Sequence, residues 1–441
     1  MNATLFTNAL VIPMRDTTEA PKHFIGSIGV VGNRIALVTD AAAEVEAFRS
    51  AHPECHEVDC TGKVLMPGLI NTHCHAAMTL QRSYADDITL MEWLNDYIWP
   101  FEAEQTPDEI ALGMTLGVVE MLLGGITSFV DMYFHENRCV ETIEKLGIRA
   151  LLGCSYFDHS IEAAKRDALR TLECAKGCDR IRVAMAPHAP YTVSAERLTE
   201  GKRFAEDHDL ALMIHVAETQ DEMRFVREKY HCTPVDWLDS LGLLDERTIA
   251  AHCVWVDEKD RATLRERGVI VSHNAQSNMK ISSGAAPIAK MVEEGLCVTL
   301  ATDGPCSNND LDLWEEMRTA AFLQKLSTED PLVLPAWEVL RMATANGARA
   351  MGYADGELGV ICEGALADLI VIDLNKPHLQ PIHDVVSNLV YCGKASDVES
   401  VMVDGRMVVE ERRIKGIDLP ALYAQMAEAV TRIKQAIAAK R

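Results

Sequence analysis

"GLINTHCHAAMTL", residues 68–80, places two histidines one residue apart at the end of an apolar run. Read as a strand, the run sends His73 and His75 to the same side, because side chains alternate faces along extended backbone. Cys74, between them, faces away and is expected to pack. The same kind of run recurs as "GITSFVDM" (125–132), "IRALLGCSY" (148–156), "IRVAMAPHAP" (181–190) and "LALMIHVAE" (210–218). It continues as "TIAAHCV" (248–254), "GVIVSHNAQ" (268–276) and "CVTLATDG" (297–304). Near-continuous apolar runs imply strands buried on both faces, hence a parallel sheet beneath helices. Separators such as "SAERLTEGKRFAEDHD" and "DEKDRATLRERG" are amphipathic, and the second ends on a glycine stop. Strand and helix alternating in this way predict an α/β fold of the closed (β/α)8 barrel type.

The flanks read differently. Residues 1–63 hold "TLFTNALVI" and "FIGSIGVVGNRIALVTD"; residues 356–415 hold "GELGVICEGALADLIVIDL" and "VESVMVDGRMVVEERRI". Both are strand-and-turn in character. The sequence therefore predicts a barrel over 64–355 and a small β-sandwich built from 1–63 and 356–415. A C-terminal helix is expected over 416–441.

The chain has 441 residues, 48% of them hydrophobic, and a formal charge of −24. That charge argues against nucleic acid or an anionic membrane surface as partner, since phosphate binding needs a basic footprint. No apolar run approaches the roughly 20 residues that cross a bilayer. The N-terminus lacks the basic region and cleavage site of a signal peptide, so a cytoplasmic location is expected. Thirteen cysteines without a CxxC pair fit reduced, mostly buried thiols. Cys174 and Cys178 alone are too little to mark a metal site.

Chemistry in such a barrel sits at the C-terminal ends of the strands. His73 and His75 end the first run, His188 the fourth, His215 and Glu218 the fifth. His252 ends the sixth, His273 the seventh and Asp303 the eighth. A single histidine at a strand end is usually a hydrogen-bonded rim residue. A whole rim of imidazoles and carboxylates is different, because buried charges are costly unless paired or metal-bound. Imidazole and carboxylate without thiolate suit zinc or iron(II) at a catalytic site with an open position.

"PGLINTHCH", "IHVAE", "AAHC" and "TDG" resemble, in order and spacing, the amidohydrolase superfamily of metal-dependent hydrolases. Within it the chain looks most like the 5-methylthioadenosine/S-adenosylhomocysteine deaminases. The stretches "WPFE", "DMYFHE", "APHAPYT", "SHNAQSNMK" and "TDGPCSNNDLDLWEEM" carry that likeness. The resemblance implies His73, His75, His215 and Asp303 as ligands of one divalent ion, with zinc first and iron(II) the alternative. It implies Glu218 as proton carrier and His252 as the histidine beside the attacking water, with Asp303 sharing that catalytic work. Glu102 and His188 fall on substrate-binding positions, Glu102 on the one that takes the ribose hydroxyls. Glu218 and Asp303 also reach the substrate. Arg149 matches the first of two arginines that some relatives turn to substrate; "LLGCSYFD" offers nothing for the second. No lysine stands on the fourth run, which implies one metal rather than two. Relatives of this kind often assemble, which leaves a homo-oligomer open.

The implied activity is hydrolytic deamination of an adenine nucleoside to the inosine analogue and ammonia. The implied substrates are 5′-methylthioadenosine, S-adenosylhomocysteine and adenosine. Trp93 and Trp99, after the first strand, either line a lid over substrate or pack on the rim, and His273 either orients a loop or packs. Two rival readings stand beside this one. One is a deaminase of a free base (guanine or cytosine) or an s-triazine hydrolase on the same barrel. The other is a barrel that binds metal or ligand without turnover, against which Glu218, His252 and Asp303 argue.

Overall fold

The computed structural model describes residues 3–15 and 22–440. Residues 1–2 and 16–21 of the expected sandwich segment, and residue 441 of the expected terminal helix, lie outside the described residues. Each apolar run forms a strand: β1 (Leu69–Cys74), β2 (Ile126–Tyr133), β3 (Arg149–Tyr156) and β4 (Ile181–Pro187). β5 (Ala211–Val216), β6 (Thr248–His252), β7 (Ile270–His273) and β8 (Cys297–Leu300) follow. They pair in sequence order as one eight-stranded parallel sheet. β8 returns to β1 through a bridge between Cys74 and Asp303, where the Asp303 N–H donates to the His73 carbonyl at 3.1 Å. Asn71 adds side-chain bonds to the Thr302 hydroxyl and backbone at 2.8 and 3.1 Å. These links bring the barrel nearly to closure.

The strands are buried on both faces, as their composition requires. Ile70, Val130, Leu151, Ala184, Met213 and Ile249 fill the interior, while Leu69, Phe129, Leu152 and Val183 pack outward under the helices. Burying each large aliphatic side chain contributes about 1.5–3 kcal/mol, so this double burial holds the parallel sheet together. The helix Glu258–Arg267 starts on an Asp257 capping box and stops at Gly268 with φ 71°. Helix Pro107–Leu123 lies directly on the turn Ala76–Gln81 that follows β1. Glycine permits that approach: a Cβ on Gly113 would meet the Ala77 carbonyl oxygen at 2.3 Å.

The flanking segments join into one nine-stranded mixed sheet. Lys63–Pro67 from the N-terminal side pairs antiparallel with Leu369–Asp373 from the C-terminal side. The small sheet's N-terminal share thus runs to Pro67, past residue 63, because "KVLMP" finds its hydrogen bonds there and not in the barrel. Helix Leu419–Lys440 packs its Leu422, Met426, Ile433 and Ile437 face against helix Pro107–Leu123 and the Trp99–Glu102 turn. No described helix is long and apolar enough to cross a membrane.

Candidate active site

At the C-terminal rim the backbone leaves ordinary strand geometry. Ala217, His252 and Asp303 have positive φ of 51°, 73° and 64°. Non-glycine residues in that region cost of order 1–3 kcal/mol each and persist where neighbours fix them. Here the Asp303 N–H is held by β1, and the Ala217 N–H by the Glu222 carboxylate at 2.8 Å. His252 and Asp303 there face the barrel mouth, while Ala217 packs in the core.

His73, His75, His215 and Asp303 converge there. His73 Nε2 lies 3.3 Å from His215 Nε2 and 3.4 Å from Asp303 Oδ1, and His75 Nε2 lies 3.2 Å from the same oxygen. Tetrahedral donors at zinc-type bond lengths of about 2.0–2.2 Å are separated by about 3.3–3.6 Å. The opposite nitrogens are accounted for. His75 Nδ1 donates to the Met132 carbonyl at 2.6 Å, His215 Nδ1 to the His188 carbonyl at 2.8 Å, and His73 Nδ1 faces Met213 Sδ at 3.4 Å. With Nδ1 carrying the proton, each Nε2 presents a lone pair to the common point. Asp303 Oδ2 accepts hydroxyls from Ser277 at 2.6 Å and Ser307 at 2.9 Å, which aims Oδ1 at the histidines.

The electrostatics agree. Burial pushes His73 down to about 4 and His215 well below the ordinary imidazole range, so both are neutral donors. Burial would depress His75 as well, yet the hydrogen bond and charge of Asp303 carry it up to about 9. Asp303 itself, against the effect of burial, is held well below the usual carboxylate range by His73 and His75. Three neutral or neutralisable imidazoles and one anion are a donor set that a divalent ion fits. Cys74 points the other way, its thiol against Asp131 Oδ1 at 3.3 Å.

Beside these four side chains sit a further imidazole, His252, and a further carboxyl, Glu218. His252 Nδ1 meets the Asn278 amide oxygen at 2.9 Å, which turns Nε2 toward Glu218 Oε2 at 3.9 Å. Burial raises the Glu218 carboxyl above its ordinary value, against the lowering effect of His252. Glu222 accepts the backbone N–H groups of Ala217 and Glu218 at 2.8 and 2.9 Å and so fixes the turn that carries the acid. His252 also groups with His73 and Asp303, their donor atoms all within 4.8 Å.

A cavity of about 720 Å³, counted to its open mouth, leads to these groups. His75, His188, His215, Glu218, His252 and Asp303 line its floor; Trp93, Leu94, Ile98 and Trp99 line its roof, with Phe134, Phe157 and Tyr191 at the sides. Both tryptophans therefore do both things: they face the cavity and pack on the rim. Glu102 reaches in from the same roof, its Oε1 accepting the Tyr133 hydroxyl at 2.8 Å, and burial raises it to about 7. His188 Nδ1 bonds the Thr192 hydroxyl at 2.8 Å and its ring meets Phe157 at 4.7 Å.

Arg149 does not belong to the site. It begins β3, at the opposite end of the barrel from the donors, with 1% exposure. Its guanidinium forks onto Asp368 at 2.9 and 2.9 Å, with Asp404 at 3.2 Å and the Tyr353 hydroxyl at 3.0 Å. Position at the strand start, not the strand end, decides this: Arg149 ties the barrel floor to the small sheet. His273 is fully buried beyond the cavity wall, with both ring nitrogens free of hydrogen bonds among the described residues.

Strand ends of a (β/α)8 barrel that gather the imidazoles of His73, His75, His215 and His252 with the carboxyl groups of Asp303 and Glu218 mark the metal-dependent hydrolase class of this fold. The sequence pattern of the Amidohydrolase family matches residues 64–408, and the chain belongs to that family. It is similar to the 5′-deoxyadenosine deaminase of Methanothermobacter thermautotrophicus, 42% identical over 399 residues, 89% of this chain and 91% of that one. Against the 5-methylthioadenosine/S-adenosylhomocysteine deaminase of Pelotomaculum thermopropionicum it is 42% identical over 412 residues, 92% and 94% of the two chains. Among solved structures, an adenosine deaminase from Xanthomonas campestris with bound zinc superposes with a TM-score of 0.92 at 33% identity, covering 98% of each chain. Atrazine chlorohydrolase TrzN of Arthrobacter aurescens, at 24% identity and TM-score 0.88 over 97% and 100%, shares the fold.

Proposed function

We propose that this chain deaminates adenine nucleosides by hydrolysis, using one zinc ion held by His73, His75, His215 and Asp303. The observation that carries the reading is the placement of the Glu218 carboxyl 3.9 Å from the Asn278-held His252, beside the convergent side chains of His73, His75, His215 and Asp303 and in the cavity that Glu102 also lines. A zinc ion in such a site lowers the pKa of water from 15.7 to about 7, which makes a nucleophile available at neutral pH.

The residues then divide the proton work. His252 Nε2 takes a proton from the attacking water as its oxygen bonds to C6, and Asp303 shares that proton and orients the oxygen. Glu218 gives its proton to ring N1, which lets C6 accept the oxygen without building negative charge on the ring. The proton on His252 passes to the exocyclic amine, the C6–N bond breaks, and ammonia leaves. Glu218 recovers a proton from the C6 hydroxyl as the carbonyl forms, so water and adenine nucleoside give inosine analogue and ammonia in balance.

Glu102 fits the ribose end, because a carboxylate can accept both hydroxyls of a vicinal diol. The described residues lining the cavity include no lysine or arginine, and Trp99, Phe134 and Phe157 supply an apolar wall. That lining favours an uncharged 5′ group, such as 5′-deoxy or 5′-methylthio, over a 5′ phosphate. Glu218→Gln should keep stoichiometric zinc while turnover falls about 10²- to 10⁴-fold, the range for loss of a general acid. Undiminished turnover would remove Glu218 from the mechanism.

A further inference from the structure

Strand β2 ends in three successive residues that each hold a different part of the site. Asp131 Oδ1 accepts the Ala76 N–H at 2.6 Å and the Cys74 thiol at 3.3 Å, bracing the turn around His75. The Met132 carbonyl accepts His75 Nδ1–H. The Tyr133 hydroxyl donates to Glu102 Oε1 at 2.8 Å.

The direction of that last bond follows from its acceptor, because a carboxylate has no proton to give. Gln81 Nε2 stands 3.3 Å from the Tyr133 oxygen and 3.3 Å from Gln105 Oε1, so its two hydrogens serve both acceptors. Tyr133 receives from Gln81 and has a single proton to give. Gln105 Oε1 is also 3.1 Å away, but the shorter contact to a carboxylate is the stronger bond. Tyr133 is 3% exposed and Gln81 0%, so water does not compete at either residue. Among the described residues Tyr133 is the only hydrogen-bond donor recorded on the Glu102 carboxylate.

We propose that Tyr133 is a positioning residue that makes Glu102 a receptor for a vicinal diol, and so sets selectivity for ribonucleosides over nucleosides lacking the 2′ and 3′ hydroxyls. Pinning Oε1 stops the carboxylate from turning about its side-chain bonds. One lone pair of Oε1 and those of Oε2 then remain for two hydroxyl donors at a fixed spacing. A vicinal diol presents its two protons at such a spacing; a dideoxyribose presents none. Because the same strand end holds His75 through Met132, the distance from the ribose grip to the reacting centre is set within one rigid element rather than across a loop.

The inference rests on the proposed nucleoside deamination and is separable from it. Steady-state kcat and KM are measured with adenosine and with 2′,3′-dideoxyadenosine for the parent, Tyr133→Phe, Glu102→Gln and the double variant, all zinc-loaded. A hydrogen bond to a charged group is worth roughly 1.5–3 kcal/mol. Tyr133→Phe should therefore raise KM for adenosine about 10-fold or more, leave kcat within about twofold, and leave dideoxyadenosine unaffected. The double variant should match Glu102→Gln, since Tyr133 acts only through that carboxylate. Gln81→Leu should shift adenosine KM in the same direction by less, and keeps the test available if Tyr133→Phe does not fold. Equal losses on both substrates, or additive losses in the double variant, would overturn the inference. A parent enzyme inert on both nucleosides would instead overturn the proposed function.

Discussion

Replacing Asn278 by alanine separates the two roles that geometry offers His252. The Asn278 amide oxygen lies 2.9 Å from His252 Nδ1, and the two residues are 0% and 1% exposed. Removing the acceptor strands a buried N–H or lets the proton move to Nε2, where it disables the base. An unsatisfied buried donor costs about 1–3 kcal/mol. At 1.36 kcal/mol per decade of rate, kcat should fall roughly 5- to 150-fold. Among the described residues Asn278 makes no hydrogen bond to any of the four proposed ligands, so zinc content after dialysis should stay at one per chain. The assay is kcat at saturating nucleoside beside metal analysis of the same sample. Were His252 a metal ligand instead, losing its outer partner would weaken metal affinity about 10- to 100-fold, and excess zinc would restore kcat. That restoration, or an unchanged kcat, refutes the base assignment.

Further tests reach the other claims. Arg149→Met should lower unfolding free energy by about 3–5 kcal/mol in a denaturant melt, because it leaves buried Asp368 without its partner. Its KM for nucleoside should not move; a rise in KM would return Arg149 to the substrate. Adenosine 5′-phosphate should show kcat/KM at least roughly 100-fold below 5′-deoxyadenosine, since a buried phosphate facing acidic groups costs several kcal/mol. Comparable efficiency would contradict a cavity whose described lining offers phosphate no lysine or arginine. Stripping metal with a chelator should lower Tm, and zinc at 1,000 times its Kd should restore about 4.1 kcal/mol. An unchanged Tm would argue against a bound ion.

The barrel was legible because every strand is a short apolar run with helical spacing between runs, and the convergence of His73, His75, His215 and Asp303 was legible because they end those runs. Arg149 shows where that reasoning slips. It begins "RALLGCSY", so the same strand rule that placed His73 and His215 at the mouth puts Arg149 at the floor. Partners that act from another element were harder to see. Asn278 meets His252 across 26 residues, and Tyr133 meets Glu102 across 31. No periodicity within one strand announces such a contact. Glu222 did leave a signal: Thr219 three residues before it is the spacing of a helix capping box. The threonine caps the helix as that spacing suggests, while the carboxylate reaches Ala217 and Glu218. The small sheet's register was also hidden, because "KVLMP" is as apolar as a barrel strand and its partner lies near the other end of the chain.

The central claim is hydrolytic removal of the adenine amino group at this barrel mouth. The direct measurement incubates zinc-loaded protein with 5′-deoxyadenosine and follows the adenine absorbance alongside ammonia release. The account predicts conversion to the inosine chromophore with one ammonia per nucleoside, lost in Glu218→Gln while its zinc is retained. No spectral change and no ammonia from 5′-deoxyadenosine, 5′-methylthioadenosine or adenosine, with zinc bound, would contradict it.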